Sequence, residues 1–368
     1  RNADLPKASA TKRSPLISLR LIRALGEQRR RPCAARRERK ADLILDSSGF
    51  LLRAATAIAL FAPVAAQAQT STVNVACRQA VLMDAESQSF IFERNADELA
   101  SPASTAKIMT AEILFRALKE GKATLDQTFE ISEHAWREGG APSKGSSMFA
   151  SLKSQVRIED LIRGLVVDSG NDAAIAIAEG IAGTEEAFGE MMTRRARELG
   201  LKRSSFSNPW GRSDPKQKTT VREMALLADH VIRTYPDLYK YFSEKEFTWN
   251  KITQQNRNPL LTMGIGADGL KTGNIDEGGF AIVGSALENN QRLIVALNGC
   301  KTASDRADDA RKLLLWGLGI GGFIAVSLLL LSRNIIRTLG GDPSGATLGV
   351  SPRLREMGIY GDSGLRGT

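Results

Sequence analysis

Residues 93–119 read ERNADELASPASTAKIMTAEILFRALK. After Pro102 the apolar positions recur at intervals of three and four residues, which predicts a buried helix from Ser104 to about Lys119. The positions that form this pattern are Ala106, Ile108, Met109, Ile113, Leu114 and Leu118. A proline suits the start of a helix because its fixed φ matches the first turn.

Short alternating segments lie on both sides of this helix. The predicted strands are Ala76–Met83 and Ser89–Glu93, then Leu270–Gly273, Gly279–Ala286 and Arg292–Leu297. Between these groups helical spacing predominates, and the predicted helices cover 158–167, 172–182, 184–199, 219–233 and 236–242, with a last helix from about Ala303. If both ends form one antiparallel sheet, the helical middle packs on and beside it. The order of elements therefore predicts an α+β fold with a cleft at the junction of the sheet and the helical block.

Ser104-Thr105-Ala106-Lys107 is an S-x-x-K sequence at the start of a predicted helix. Residues three apart share one helix face, so the lysine amine can reach the serine hydroxyl, and helix-start amides favour an oxyanion. Two further copies begin at Ser9 and Ser213. The first lies in a basic stretch without periodicity and the second is interrupted by Pro215, so only the copy at Ser104 has the structural context.

Two other short motifs follow in order. Ser169-Gly170-Asn171 lies between two predicted helices, where its simplest interpretation is an N-cap for the next helix. Lys271-Thr272-Gly273 lies in the first strand after the helical block, where it is compatible with an ordinary strand end. A strand places Lys271 and Thr272 on opposite faces, and glycine lets another backbone come close.

Together the three motifs resemble those of the penicillin-recognising serine enzymes. Residues 79–316 resemble the low-molecular-mass D-alanyl-D-alanine carboxypeptidases, the small penicillin-binding proteins of serine peptidase family S11. Further matching phrases are EDLIRGLVVDSGNDAAIAIAE, FTWNKITQQNRNPLL and DGLKTGN. The resemblance implies a β-lactamase/DD-peptidase-like fold, with a five-stranded antiparallel sheet flanked by helices and a mostly helical subdomain. It also implies that peptidoglycan stem peptides are the substrates and that β-lactam antibiotics are covalent inhibitors.

The resemblance implies catalytic roles for two of the motifs. Ser104 would attack the carbonyl of the terminal D-Ala-D-Ala, and Lys107 would take the serine proton. Ser169 would relay a proton to the leaving D-alanine, and Asn171 would hold Lys107 and the substrate amide. Lys107 must be largely neutral to act as a base, a state favoured by burial and by the positive charge of Lys271.

Substrate binding would fall to the third motif. The resemblance implies that Lys271 and Thr272 bind the terminal carboxylate and that the strand with Gly273 offers edge hydrogen bonds to the extended peptide. The backbone N–H groups of Ser104 and Asn274 would form the oxyanion hole. The family usually has His where Asn274 stands, which alters the side-chain contact but not the backbone donor.

Two arginines are candidate partners of a carboxylate because of their positions. Arg257 lies in Asn256-Arg257-Asn258, and Arg306 lies at the start of the last helix. A guanidinium can bind a carboxylate through two hydrogen bonds. The alternative for each arginine is an ion pair on the surface.

The second, β-rich domain of the family is not recognisable in this chain. In its place residues 313–332 read LLLWGLGIGGFIAVSLLLLS and precede Arg333 and Arg337. About 20 apolar residues span a bilayer, and arginines that follow favour a cytoplasmic tail. We expect a transmembrane helix that anchors the protein in the inner membrane, with a soluble helix as the alternative, and a disordered tail over residues 333–368.

Charge and hydropathy divide the N-terminal part of the chain. Residues 1–68 hold 14 of the 50 basic residues and five of the 41 acidic residues, so the rest is neutral and nucleic acid is not an expected partner. Residues 51–68 are apolar and end in Ala66-Gln67-Ala68, which predicts a secretory signal peptide and export to the periplasm. The alternative is a buried helix. Residues 1–50 lack periodicity, and we expect a disordered basic extension or a wrongly extended reading frame.

Two histidines and three cysteines are too few for a His-rich or CxxC metal site, and we expect no metal and no cofactor. Residues 264–269 satisfy G-x-G-x-x-G, but a strand rather than a helix follows them, which excludes a dinucleotide site. In the resembling family the first and last strands are antiparallel neighbours. That arrangement implies a disulfide between Cys77 and Cys300, with residues 69–316 as the catalytic domain.

Two alternative functions remain open. A β-lactamase of the same fold must hydrolyse the penicilloyl ester quickly, and class A enzymes use a glutamate in an E-x-x-L-N loop for this step. No such sequence occurs between Ser169 and Lys271. The other alternative is a non-catalytic module that binds peptidoglycan, for which we would expect a broken motif.

Overall fold

The computed structural model describes residues 73–275 and 279–319. The nine strands in these residues are β1 Gln79–Asp84, β2 Ser89–Arg94, β3 Thr128–Glu130, β4 Gln155–Arg157, β5 Glu246–Trp249, β6 Ile252–Gln255, β7 Ala267–Ile275, β8 Gly279–Glu288 and β9 Gln291–Cys300. Five of them form one antiparallel sheet in the order β2-β1-β9-β8-β7. The two ends of the described chain thus build one sheet, and the predicted α+β order is confirmed.

The described helices are α1 Lys107–Lys119, α2 Ile158–Val166, α3 Asn171–Ala182, α4 Glu185–Glu198, α5 Val221–Thr234, α6 Pro236–Tyr239 and α7 at residues 303–319. The predicted helix from Ser104 differs in its first turn. Ala103–Ala106 is a 3-10 helix in which the Thr105 backbone N–H donates to the Pro102 carbonyl at 3.2 Å. The α-helix proper therefore begins at Lys107.

Helices cover both faces of the sheet. On one face, α5 contacts β9 and β1, and the helical region behind it is centred on α1 and α3. Residues 107–115 of α1 and 171–178 of α3 are all buried. A helix that is apolar around its whole circumference belongs inside a protein, which explains the small, apolar sequence of α3. On the other face, Ala310, Leu313 and Leu314 of α7 pack with apolar residues of β1 and β9.

Two short two-stranded sheets were not predicted from the sequence. β3 pairs with β4, and β5 pairs with β6. Each strand has only three or four residues, which is too short for an alternating pattern to stand out from chance. The turn Ala135–Gly139, which has π-helical geometry, also carries no sequence signature.

The start of α7 shows where part of the predicted membrane segment lies. Leu313 and Leu314 are fully buried. An ideal Cβ on Gly317 would lie 2.7 Å from Leu293 Cδ1 and 2.8 Å from Leu82 Cδ2, so the helix backbone rests directly on the sheet at this point. The first residues of the 313–332 stretch are therefore part of the domain that carries the sheet.

Within the described residues, no helix combines the length and the apolar composition needed to cross a bilayer. Four predictions fall wholly or mostly outside those residues: the extension at 1–50, the signal peptide at 51–68, the remainder of the 313–332 span and the tail at 333–368.

A disulfide bond joins the segment just before β1 to the end of β9. The β1–β9 register places Cys77 opposite Cys300, and their Sγ atoms are bonded at 2.06 Å. The disulfide implied by the family resemblance is confirmed. Asp309 of α7 adds a second link, because its Oδ2 accepts a hydrogen bond from the Cys77 backbone N at 2.9 Å.

We expect the double substitution Cys77→Ala/Cys300→Ala to lower the free energy of unfolding by about 2–5 kcal/mol, because the bond joins residues 223 apart and restricts the unfolded chain. Urea unfolding of the oxidised protein and of the double variant measures this difference. The double variant is its own control for the reductant, and its midpoint should stay the same when reductant is added. Equal midpoints for the wild-type protein with and without reductant would contradict the prediction.

Candidate active site

Ser104 and Lys107 meet at the start of α1. Ser104 lies in the 3-10 turn and Lys107 is the first residue of the α-helix, so both side chains leave the same face. Lys107 Nζ lies 3.2 Å from Ser104 Oγ. The residue before the serine, Ala103, has a φ of 48°, a left-handed conformation that is unusual for a residue with a side chain. Such strain is typical of functional sites.

The Lys107 amine has two further partners. Its Nζ donates to Asn171 Oδ1 at 2.7 Å and to the Trp210 backbone carbonyl at 2.7 Å. The side chain is fully buried, and burial together with the positive charges of Lys271 and Arg257 holds the pKa of this amine well below its usual range. A neutral amine has two N–H donors and one lone pair. With both donors taken, the lone pair is left to face Ser104.

Ser169 and Lys271 form a second serine–lysine pair. Lys271 Nζ donates to Ser169 Oγ at 2.9 Å and to the Thr272 carbonyl at 3.0 Å. Burial, with Arg257 and Arg306 nearby, lowers the pKa of Lys271 to about 7. These contacts correct two of the simpler interpretations. Ser169 does not cap α3, because its φ of 60° turns it toward the lysine and Gly170 is the N-cap.

Lys271 is likewise not an ordinary strand end, since it lies inside β7 and is 2% exposed. Thr272 is buried and Asn274 is exposed. An ideal Cβ on Gly273 would lie 3.0 Å from Ala103 Cβ and 3.2 Å from the Ser104 backbone N. Glycine thus lets β7, the edge strand of the sheet, approach the backbone of the Ser104 turn closely.

The two arginines lie around Lys271, whose pKa both depress. Arg257 is exposed, and its Nη1 donates to Ser146 Oγ at 2.6 Å. The Arg306 guanidinium lies over the Phe280 ring, 5.6 Å from the centroid, and its buried Nε has no hydrogen-bond partner among the described residues. Arg257 thus contacts a hydroxyl group and Arg306 contacts an aromatic ring. Neither contact is the surface ion pair with a carboxylate that was the alternative for each arginine.

Three features of the site were missed in the sequence. The Trp210 carbonyl is a backbone group, and every residue has one, so no sequence signal could have identified it. Asp172 follows the second motif directly and is fully buried. Its carboxylate accepts hydrogen bonds from the backbone N of Met148 at 2.9 Å and from Ser147 Oγ at 2.7 Å, which holds the loop beside Asn171. An acid in the first turn of α3 was the available signal.

Asp168 is the third missed feature. It directly precedes Ser169, it is 1% exposed, and neither of its carboxylate oxygens has a hydrogen-bond partner in the described part of the chain. Burial and the negative charge of Asp172 raise its pKa to about 7, against the opposing effect of Arg257. Near neutral pH this side chain is therefore divided between a neutral acid and a carboxylate.

The fold and these contacts can be compared with known proteins. A sequence profile of the family described as D-alanyl-D-alanine carboxypeptidase matches residues 64–302. The chain belongs to this carboxypeptidase family. It is 41% identical over 262 residues to the D-alanyl-D-alanine carboxypeptidase DacC of Escherichia coli (strain K12), covering 70% of this chain and 66% of that protein. It is 43% identical over 239 residues to DacA of Haemophilus influenzae, covering 64% and 60%.

Solved structures give the same family. Penicillin-binding protein 5 from Haemophilus influenzae matches with a TM-score of 0.66 and 40% identity, covering 68% of this chain and 73% of that one. Penicillin-binding protein D2 from Listeria monocytogenes, in its ampicillin-bound form, matches with a TM-score of 0.58 and 25% identity, covering 67% and 99%. This carboxypeptidase-family chain spans about 60% to 66% of the length of the first two curated relatives.

Asp168 yields a prediction about pH. Its pKa is 3.8 in a free side chain and about 7 in the folded protein, so between these values the folded state binds more protons than the unfolded state. The contribution of Asp168 to stability is therefore present below pH 4 and lost as the pH rises to about 7. Relative to wild type, we expect Asp168→Asn to gain about 2–4 kcal/mol of unfolding free energy between pH 4.5 and pH 8.

Urea unfolding of both proteins at several pH values measures this gain. Asp237→Asn, at an exposed position on α6, controls for the loss of one acidic charge. A difference between Asp168→Asn and wild type that stays constant over this pH range would contradict the assignment.

Proposed function

We propose that this chain is a serine-type D-Ala-D-Ala carboxypeptidase that works through an acyl-enzyme on Ser104. One observation carries the proposal. The fully buried Lys107 amine, whose pKa is lowered by burial and nearby cations, lies 3.2 Å from Ser104 Oγ, while two other groups accept its N–H bonds. A serine hydroxyl is a weak nucleophile until a base takes its proton, and this geometry presents such a base.

In the proposed first step, Ser104 Oγ attacks the carbonyl carbon of the peptide bond before the terminal D-alanine, and its proton moves to Lys107. The backbone N–H groups of Ser104 and Asn274 stabilise the negative oxygen that forms. The C–N bond then breaks, and the proton held by Lys107 passes through Ser169, whose hydroxyl is held by Lys271, to the D-alanine nitrogen. Lys107 is neutral again after this transfer. The peptide remains attached to Ser104 as an ester.

The second step hydrolyses that ester. A water molecule attacks the carbonyl carbon, its oxygen becomes part of the new carboxylate, and its proton returns through Lys107 to Ser104. The enzyme is regenerated, and the net reaction consumes one water molecule for each D-alanine released. Asn171 holds both Lys107 and the substrate amide during these steps.

The substrate would bind along β7, which is the outer strand of the sheet and can pair with an extended stem peptide. Lys271, Thr272 and the two arginines would receive the terminal carboxylate, and the unpartnered Nε of Arg306 supports this role. A β-lactam would acylate the same serine. The ampicillin-bound form of the Listeria relative supports that part of the proposal.

We further propose that the chain is exported to the periplasm, or to the outer face of the cytoplasmic membrane, and is anchored by its C-terminal segment. The Cys77–Cys300 disulfide supports export, because disulfides persist in oxidising compartments. The compositions of residues 51–68 and 313–332 support a signal peptide and an inner-membrane anchor. Residues 69–316 would then form the catalytic domain.

The proposal predicts a covalent adduct. Wild-type protein mixed with benzylpenicillin should gain the mass of one drug molecule, and Ser104→Ala should not. The release of D-alanine from a peptide that ends in D-Ala-D-Ala should fall at least about 10³-fold in Ser104→Ala. Intact mass spectrometry over time, with circular dichroism to show that the variant is folded, makes the measurement.

The time course also separates the alternatives. A persistent adduct with D-alanine release supports the carboxypeptidase. A short-lived adduct with rapid turnover of the drug would instead indicate a β-lactamase. Absence of any adduct on the folded wild-type protein would contradict Ser104 as an activated nucleophile and favour a module that binds peptidoglycan.

The carboxylate site gives a separate prediction. We expect Arg306→Ala to raise KM for the D-Ala-D-Ala peptide about tenfold or more, because the terminal carboxylate loses a charged hydrogen-bond donor. Exposed Arg311, on the same helix, provides the matched control as Arg311→Ala. Steady-state kinetics on both variants make the comparison. A KM that changes equally in both would show that Arg306 acts only through general charge.

A further inference from the structure

The turn that carries the Trp210 carbonyl is held by contacts outside the three motifs. Asn208 Oδ1 accepts hydrogen bonds from the backbone N of Gly211 at 2.8 Å and of Arg212 at 3.0 Å. Gly211 has a φ of 95°, and a Cβ there would collide with the Ala103 carbonyl. The turn therefore packs directly against the residue that precedes Ser104. The contacts of the side chains in the turn fix the position of the Trp210 carbonyl.

The Trp210 side chain is fixed by a buried acid. Its indole Nε1 donates to Glu185 Oε2 at 3.0 Å. Glu185 is 6% exposed and is the first residue of α4. The capping of this helix belongs to Thr184, whose hydroxyl accepts from the Ala187 backbone N at 3.1 Å. Glu185 is therefore not the cap of α4, and its carboxylate can accept the hydrogen bond from the Trp210 indole.

The other carboxylate oxygen of Glu185 reaches a second segment beside the site. Its Oε1 lies 2.6 Å from Nε2 of His134, which is half-exposed. His134 precedes the turn Ala135–Gly139, and an ideal Cβ on Gly139 would lie 2.5 Å from the Asn171 carbonyl carbon. One carboxylate therefore joins the segments that flank both acceptors of the Lys107 amine, Asn171 and the Trp210 carbonyl.

We propose that Glu185 is a positioning residue for the acylation step, a role that rests on the proposed function of Lys107 as the base. By holding Trp210 in place, Glu185 fixes the direction of one Lys107 N–H bond. The lone pair of the amine then faces Ser104 Oγ. The hydrogen bonds of Glu185 are to Trp210 and His134 and not to Ser104 or Lys107, so it acts through the tryptophan.

Two other charged groups face this cluster. The Arg212 guanidinium lies over the Trp210 ring, 5.6 Å from its centroid. Glu179 of α3 lies close enough to His134 and Glu185 for their charges to affect its pKa, which burial raises. Neither group contacts Lys107 in the described structure, so Glu185 provides the direct route from this cluster to the amine through Trp210.

The test compares Glu185→Ala, Trp210→Phe and their combination, with the exposed neighbour Glu186→Ala as the control. The rate constant for acylation of Ser104 by benzylpenicillin should fall about 10- to 100-fold in each single variant. Because both changes remove one link, the double variant should lose no more than either single variant. Glu185→Gln keeps an oxygen acceptor for the indole and should retain acylation within about threefold of wild type.

A second measurement does not depend on acylation. Lysine labelled with ¹³C at Cε reports the titration of Lys107 by NMR, with the signal assigned from Lys107→Arg. In Glu185→Ala the Lys107 pKa should move further down, because the ammonium form loses a well-placed acceptor at Trp210. A purely structural role of Glu185 would lower the melting temperature and leave this titration where it is.

The outcomes separate the two proposals. If wild-type protein is not acylated, the proposed function fails, and the Lys107 titration still decides the role of Glu185. If the titration in Glu185→Ala is unchanged or moves upward, or if the losses in Glu185→Ala and Trp210→Phe multiply, the positioning role is wrong. Normal acylation in Glu185→Ala would overturn it as well.

Discussion

Two lysine amines lie out of water in one site, and the electrostatics of the region follow from that constraint. Moving an ammonium ion into the interior of a protein costs several kcal/mol, whereas a neutral amine loses far less. Lys107 and Lys271 are therefore driven toward their neutral forms, and each positive neighbour strengthens this tendency. Two of the four cationic side chains in the region therefore carry reduced charge. The full positive charge is left on Arg257 and Arg306, where an incoming anion can meet it.

The fold delivers this arrangement by bringing together groups that are remote in the chain. Lys107 begins a central helix, Ser169 lies in a turn between two helices, and Lys271 lies inside an edge strand. Ala103 and Ser169 both adopt left-handed backbone conformations. Such conformations persist where the surrounding packing determines them, and the buried helices around α1 provide that packing. The packing of the core therefore determines the backbone conformation at the site.

The sequence predicted the large elements and the motif residues, because long periodic helices and spaced motifs can be recognised from neighbouring residues in the chain. The strands of the sheet and the helix at Ser104 followed from such patterns. The meeting of the three motifs was implied by the family resemblance, because pattern alone was equally compatible with an N-cap at Ser169 and an ordinary strand end at Lys271. The two short two-stranded sheets and the π-helical turn did not, since segments of three to five residues contain too little periodicity. The roles of Trp210 and Asp168 could not be predicted either. Trp210 acts through its backbone carbonyl, which every residue has, and the properties of Asp168 depend on burial that only the tertiary structure defines.

The pairing of β1 with β9 has a consequence for how the chain acquires its structure. β1 is made early, but one of its two partners in the sheet lies more than 200 residues later. During synthesis the β1–β2 hairpin therefore has one edge of β1 unpaired, and Cys77 is a free thiol, until β9 has been made. Contacts between distant parts of a chain form slowly, because the long intervening segment must first be ordered. The sheet can therefore close only after β9 has been made, and until then the unpaired edge of β1 can pair with another chain.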